Sequence, residues 1–137
     1  LKLGGKTDMP SIGARGEPLE VTGTVRALTD GDYLVTGPMA TGTRAHMGRS
    51  AVLHVDGVDI AVIERNHEPF DLGCLRSLGI EPTARRYVLL KSRIHYRAGF
   101  KPIARAIVEC DGEGVTTSDY GRFDFRNVER PAYPLDA

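Results

Sequence analysis

Twice in its first half this chain sets an Asp-Gly pair between two runs of strand-forming residues, and no other feature restricts the fold so tightly. In a two-residue type I′ loop both central positions need positive φ. Gly adopts it freely and Asp tolerates it, so Asp-Gly between such runs predicts a β-hairpin. The first instance is residues 21–28, rich in β-branched side chains, then Asp30-Gly31, then residues 33–36. The second is residues 50–55, Asp56-Gly57, then residues 58–64. A type I′ turn at Asp56-Gly57 sets Val55 against Val58, Leu53 against Ile60 and Ala51 against Val62, which makes one apolar face. His54 then lies opposite Asp59 on the other face. The glycines of residues 37–48 mark a shaped loop between the hairpins.

The second half changes character. Asp71 is placed to cap a short helix over residues 72–78, with Gly79 as its left-handed stop. Residues 87–90 read as a buried strand, and a short helix starts near His95 and ends before Pro102. Residues 103–110 read as another strand, and the arginine- and proline-marked tail, residues 123–137, as an extended surface segment. Hairpins first, then alternating short strands and helices, predict an α+β domain with a mixed sheet. The first twenty residues are rich in Gly and Pro and read as an irregular lead-in from a preceding domain, with residues 21–137 as the domain proper. The chain opens Leu1-Lys2-Leu3 without Met, so a piece of a larger protein is expected.

Charge narrows the partners. Eighteen Lys and Arg balance eighteen Asp and Glu, which disfavours binding to a polyanion, so neither nucleic acid nor an acidic membrane surface is expected. No apolar run approaches the ~20 residues of a membrane span, and no secretory signal is visible. A cytoplasmic location is therefore expected, with Cys74 and Cys110 as buried free thiols.

No catalytic set is complete. Gly4-Gly5-Lys6-Thr7 resembles the end of a phosphate loop, but Pro10 and Gly13 follow where a helix is needed. The four histidines, His46, His54, His67 and His95, lack zinc-ligand spacing; His67-Glu68 begins a metalloprotease motif whose second His is missing. No serine sits in a nucleophile elbow. The segment that does suggest a site is Lys91-Ser92-Arg93-Ile94-His95-Tyr96-Arg97, between an apolar run and a helix start. Three cations and a His there suit an anionic group such as a peptide carboxylate, with Lys91, Arg93, His95 and Arg97 as the candidate residues. A solvated basic face or an interdomain contact is the plain alternative.

Several segments taken in order resemble the C-terminal domain of the MlrC family of microcystin-degradation-type metallopeptidases. They are Gly4-Gly5-Lys6-Thr7-Asp8, Gly37-Pro38-Met39, Met47-Gly48, Arg76-Ser77-Leu78-Gly79-Ile80, the cluster from Lys91 to Ala98, and Arg130-Pro131-Ala132-Tyr133-Pro134-Leu135-Asp136. The resemblance implies a C-terminal, non-catalytic domain of a zinc-dependent peptidase or amidohydrolase, inactive alone. It implies no cofactor in this chain, with zinc held by a missing N-terminal catalytic domain. The implied partners are that domain and a peptide-like small-molecule substrate, with homo-oligomerisation left open. Shaping a substrate cleft, binding an anionic end and holding a dimer are the roles it implies for the domain, with Lys91, His95 and Arg97 in support. The rival from another class is a stand-alone ligand-binding or oligomerisation module with no enzymatic activity.

Overall fold

A computed structural model describes residues 1–110, 112, 117 and 119–136. The chain divides into two compact units, residues Thr22–Ile107 and a second built from Leu1–Val21 with Val108–Ala137.

In the larger unit the strands are β3 (Thr24–Thr29), β4 (Asp32–Leu34), β5 (Arg44–His46), β6 (Ser50–Val55) and β7 (Val58–Ile63). The second Asp-Gly pair forms a hairpin. Asp56 and Gly57 take φ of +47° and +85°, and β6 pairs β7 antiparallel with Val55 opposite Val58, Leu53 opposite Ile60 and His54 opposite Asp59. The first does not. There only Gly31 has positive φ, +73°, and Asp30-Gly31 turns the chain from one sheet into another. β3 pairs with β6, Thr29 opposite Ser50, while β4 pairs with β5, Tyr33 opposite Ala45. Any Cβ on Gly31 would fall 2.3 Å from the Gly48 carbonyl oxygen, so the corner itself demands glycine. The loop foreseen at residues 37–48 thus contains β5 and the tight turn that returns the chain to it.

The three-stranded sheet runs β3-β6-β7, with β6 central. Among the described residues every strand pair is antiparallel, which corrects the expected mixed sheet. The reason is chain order. A parallel pair needs a long crossover, yet the strands of this unit are complete by Ile63 and its first α-helix begins at Gly73.

The core meets the sheet on the face of Val52 and Ile63, opposite the apolar set foreseen around Leu53. Tyr33, Val35, Met47, Cys74, Leu78, Ile80 and Phe100 complete it. Burying a side chain such as Val35 or Leu78 contributes about 1.5–3 kcal/mol. Leu53 is itself buried on the other face, while Val25, Leu28 and Val58 there are largely exposed.

Helix α1 (Gly73–Arg76) is short but tightly bounded. It is shorter than the foreseen 72–78, and its N-cap residue is Leu72, not Asp71; Asp71 stands one residue earlier and accepts the Gly73 N–H at 2.7 Å. Gly79 at φ +76° ends the turn, with Gly79 N–H bonded to Arg76 O and Ile80 N–H to Leu75 O, a Schellman pattern. Helix α2 (Tyr96–Phe100) runs into a 3-10 turn, Lys101–Ile103, containing Pro102. Among the described residues no helix is long and apolar enough to cross a membrane.

The other foreseen strands do not form. Tyr87 and Leu89 are 73% and 92% exposed, and only Leu90 of that run packs on the core. Residues 103–110 are exposed and carry no strand. An apolar run alone cannot distinguish a strand from an irregular segment. Cys110 is likewise exposed, against the expectation that both thiols are buried.

The smaller unit carries β1 (Lys2–Leu3) antiparallel to β2 (Leu19–Glu20), so the Gly- and Pro-rich start is a closed loop with its ends paired. The end of the tail expected to be extended turns on itself over residues 130–136. Leu135 N–H reaches Ala132 O at 2.8 Å, and Asp136 takes Arg130 at 2.5 Å and Ala132 N–H at 2.7 Å.

Candidate functional site

The cluster foreseen at residues 91–97 acquires its shape from a residue outside it. Glu68 lies in the irregular stretch after β7, and its carboxylate bridges two members of the cluster. One oxygen accepts the Ser92 hydroxyl and the other lies 2.7 Å from His95 Nδ1. Ser92 Oγ in turn accepts the Tyr96 N–H at 3.2 Å, so the serine ties the start of α2 to Glu68. The hydrogen bond from Ser92, then that from His95, holds the Glu68 carboxyl below its ordinary range, so it is ionised near neutrality.

This arrangement is not a nucleophilic triad. In a triad the imidazole takes the serine proton. Here Ser92 and His95 both hang from the carboxylate, and the Ser92 proton points at Glu68. What the geometry does supply is an oriented imidazole. A carboxylate on Nδ1 fixes ring and tautomer, leaving Nε2 as the working atom. The His95 side chain is 44% exposed, and Nε2 is the ring nitrogen that Glu68 does not engage. It can accept a hydrogen bond or, when protonated, donate one to an anion.

Of the four residues foreseen, His95 is seated on Glu68. Arg97 lies over the Tyr96 ring, 5.5 Å from its centroid. Lys91 and Arg93 are exposed on the same segment. Sequence reasoning missed Glu68 and Ser92. The available signal is charge: a cluster of three cations and a histidine calls for an acid, and Glu68 stands beside His67 in the sequence.

The other histidines are held elsewhere. His54 Nδ1 is 2.6 Å from Asp59 across the β6–β7 pair, and Arg26 and Arg85 converge on the same carboxylate at 3.3 and 2.8 Å. The His54 bond first, and the two arginines with it, pull the Asp59 carboxyl below its usual range. His46 Nδ1 contacts Asp32 across β4–β5. His67 Nε2 is 2.7 Å from the Tyr33 hydroxyl, and burial pushes its pKa down.

Zinc does not fit these donors. His95 and Glu68 are engaged with each other, His54 with Asp59, and among the described residues no three His, Cys, Asp or Glu converge as a ligand set. A small cleft adjoins α2, lined by Gly37, Pro38, Leu72, Ala98, Pro102 and Ile103 among others.

The family model described as MlrC C-terminus matches residues 1–127. Microcystinase C of a Sphingomonas species is 33% identical over 108 residues, 79% of this chain and 20% of that protein. A crystal structure from Mesorhizobium sp. BNC1, described as that of a candidate metallopeptidase, matches with a TM-score of 0.75 at 33% identity, covering 88% of this chain and 24% of that one. The chain thus spans 20% of the length of its curated relative.

Proposed function

The chain belongs to the MlrC C-terminus family, and from that membership we propose that it is the non-catalytic domain of a zinc-dependent peptidase or amidohydrolase, binding an anionic end of a peptide-like substrate. The observation that carries this reading is Glu68 gripping Ser92 and His95 on a segment that also carries the exposed Lys91, Arg93 and Arg97. A carboxylate is the natural guest, because a charged acceptor strengthens every N–H donor aimed at it. The apolar cleft along α2 suits a neighbouring side chain of such a substrate. The zinc and the scissile bond belong to a larger partner domain, in line with the 20% and 24% of its relatives that this chain covers. Zinc bound there would supply Lewis-acid polarisation of the carbonyl and an activated water, while this chain's residues would hold the substrate end.

The test is a nuclear magnetic resonance titration of the 137-residue chain with N-acetyl-dialanine. Shifts concentrated at residues 91–97, weakened in Arg97→Ala and Lys91→Ala, are expected. Shifts spread evenly over the surface, or unchanged affinity in both variants, would contradict the reading.

A further inference from the structure

The grip of Glu68 on His95 needs its own support, since Glu68 sits in a stretch without regular structure. The neighbouring residue supplies it. His67 Nε2 is 2.7 Å from the hydroxyl of Tyr33, a core residue of β4 only 8% exposed. The imidazole meets the Tyr33 ring edge-on at 5.7 Å and lies 5.6 Å from Phe70. Tyr33 is itself confined, because Gly73 leaves it room that a side chain would take: a Cβ there would fall 2.3 Å from Tyr33 Cδ2. Among the described residues, the side-chain hydrogen bonds of residues 66–70 are those of His67 to Tyr33 and of Glu68 to Ser92 and His95. One residue of a pair is fastened to the core and the next to the candidate site.

We propose that His67 is a positioning residue for the site: bonded to Tyr33, it fixes the chain so that the Glu68 carboxylate reaches Ser92 and His95 together. This rests on the reading of residues 91–97 as the binding site. Burial keeps the His67 imidazole neutral, so it adds no cation to a segment already rich in them. Burial, chiefly, also keeps the Tyr33 phenol protonated, which preserves the bond over the ordinary pH range. Because the two side chains of a dipeptide share one backbone, loosening His67 loosens Glu68 even though His67 touches neither Ser92 nor His95 in any hydrogen bond.

The experiment reads the His95 tautomer through its ring ¹⁵N shifts in mildly alkaline solution, on the whole chain and on His67→Phe, Tyr33→Phe, His67→Gln and Glu68→Gln, with melting temperature measured alongside. The parent chain should show one dominant tautomer, protonated at Nδ1. His67→Phe and Tyr33→Phe should lose that dominance, and His67→Gln, which can still bond Tyr33, should restore it. If both Phe variants lower the melting temperature but leave the tautomer intact, His67 is merely structural and the proposal falls. Tyr33→Phe removes only one oxygen and keeps the test open should His67→Phe not fold. Glu68→Gln separates the two ideas. A His95 tautomer indifferent to Glu68 overturns the site itself, whereas one that responds to Glu68 but to neither Tyr33 nor His67 overturns this inference alone.

Discussion

Replacing Asp71 by alanine should unfasten the larger unit at one point. The carboxylate is 1% exposed, and its two oxygens accept backbone N–H groups from separate segments, Gly37 at 2.6 Å and Gly73 at 2.7 Å. It thereby joins the loop after β4 to the start of α1. A hydrogen bond to a charged acceptor contributes about 1.5–3 kcal/mol, so the two together amount to about 3–6 kcal/mol. Two effects reduce this. Gly37 and Gly73 are half-buried, so water can reach the freed N–H groups in part. Deleting the carboxylate also removes the cost of keeping an ion out of water. A net loss of about 2–4 kcal/mol remains. For a domain of this size that lowers the melting temperature by roughly 10 °C. Urea unfolding followed by circular dichroism, with the slope compared between variants, measures the loss. Asp71→Asn, which keeps one acceptor oxygen, should lose about half as much. A loss below about 1 kcal/mol in Asp71→Ala would refute the clamp, since that is the worth of one ordinary neutral hydrogen bond.

Three further outcomes are expected. Gly57→Ala, at φ +85° with nothing near its added Cβ, should cost about 1–2 kcal/mol from backbone strain alone, whereas Gly31→Ala should cost clearly more because its Cβ meets the Gly48 carbonyl; paired urea titrations rank them. Glu81 is held at about 2 by Arg76 first and then Thr83, against an ordinary 4.5; a depressed folded-state pKa means its stabilisation is complete above about 4.5 and is lost as pH falls toward about 2, so Glu81→Gln should flatten the acid limb of a stability-versus-pH curve across that window. A thiol reagent should label Cys110 quickly and Cys74 slowly, because Cys74 is buried with its thiol pushed up to about 12, chiefly by burial, and Cys110 is exposed; Cys110→Ser should abolish the fast phase.

Local signals in the sequence proved legible where a local rule decides the outcome. The turn at Asp56-Gly57 depends on the φ of two adjacent residues and the stop at Gly79 on that of one, and the structure has all three positive. Asp30-Gly31 carries the same dipeptide and becomes a corner, because the strand that completes β3 is β6, some twenty residues further on, and pairing partners are not written in the dipeptide. Residues 87–90 read as a buried strand from apolar character alone, which does not fix burial, and the structure leaves Leu89 nearly bare. At the candidate site the basic residues were visible as a contiguous run. Glu68 was not, since it lies twenty-four residues from Ser92 and only the fold brings them together. His67 was visible as a histidine and invisible as a partner of Tyr33, thirty-four residues away.

The most direct measurement is hydrolysis of a linear peptide by the 137-residue chain, followed by mass spectrometry with and without added zinc. A domain that binds a substrate end and holds no hydrolytic centre of its own should give no turnover above buffer in either condition. Zinc-dependent cleavage that disappears in His95→Ala would contradict that, and would place the catalytic centre in this chain.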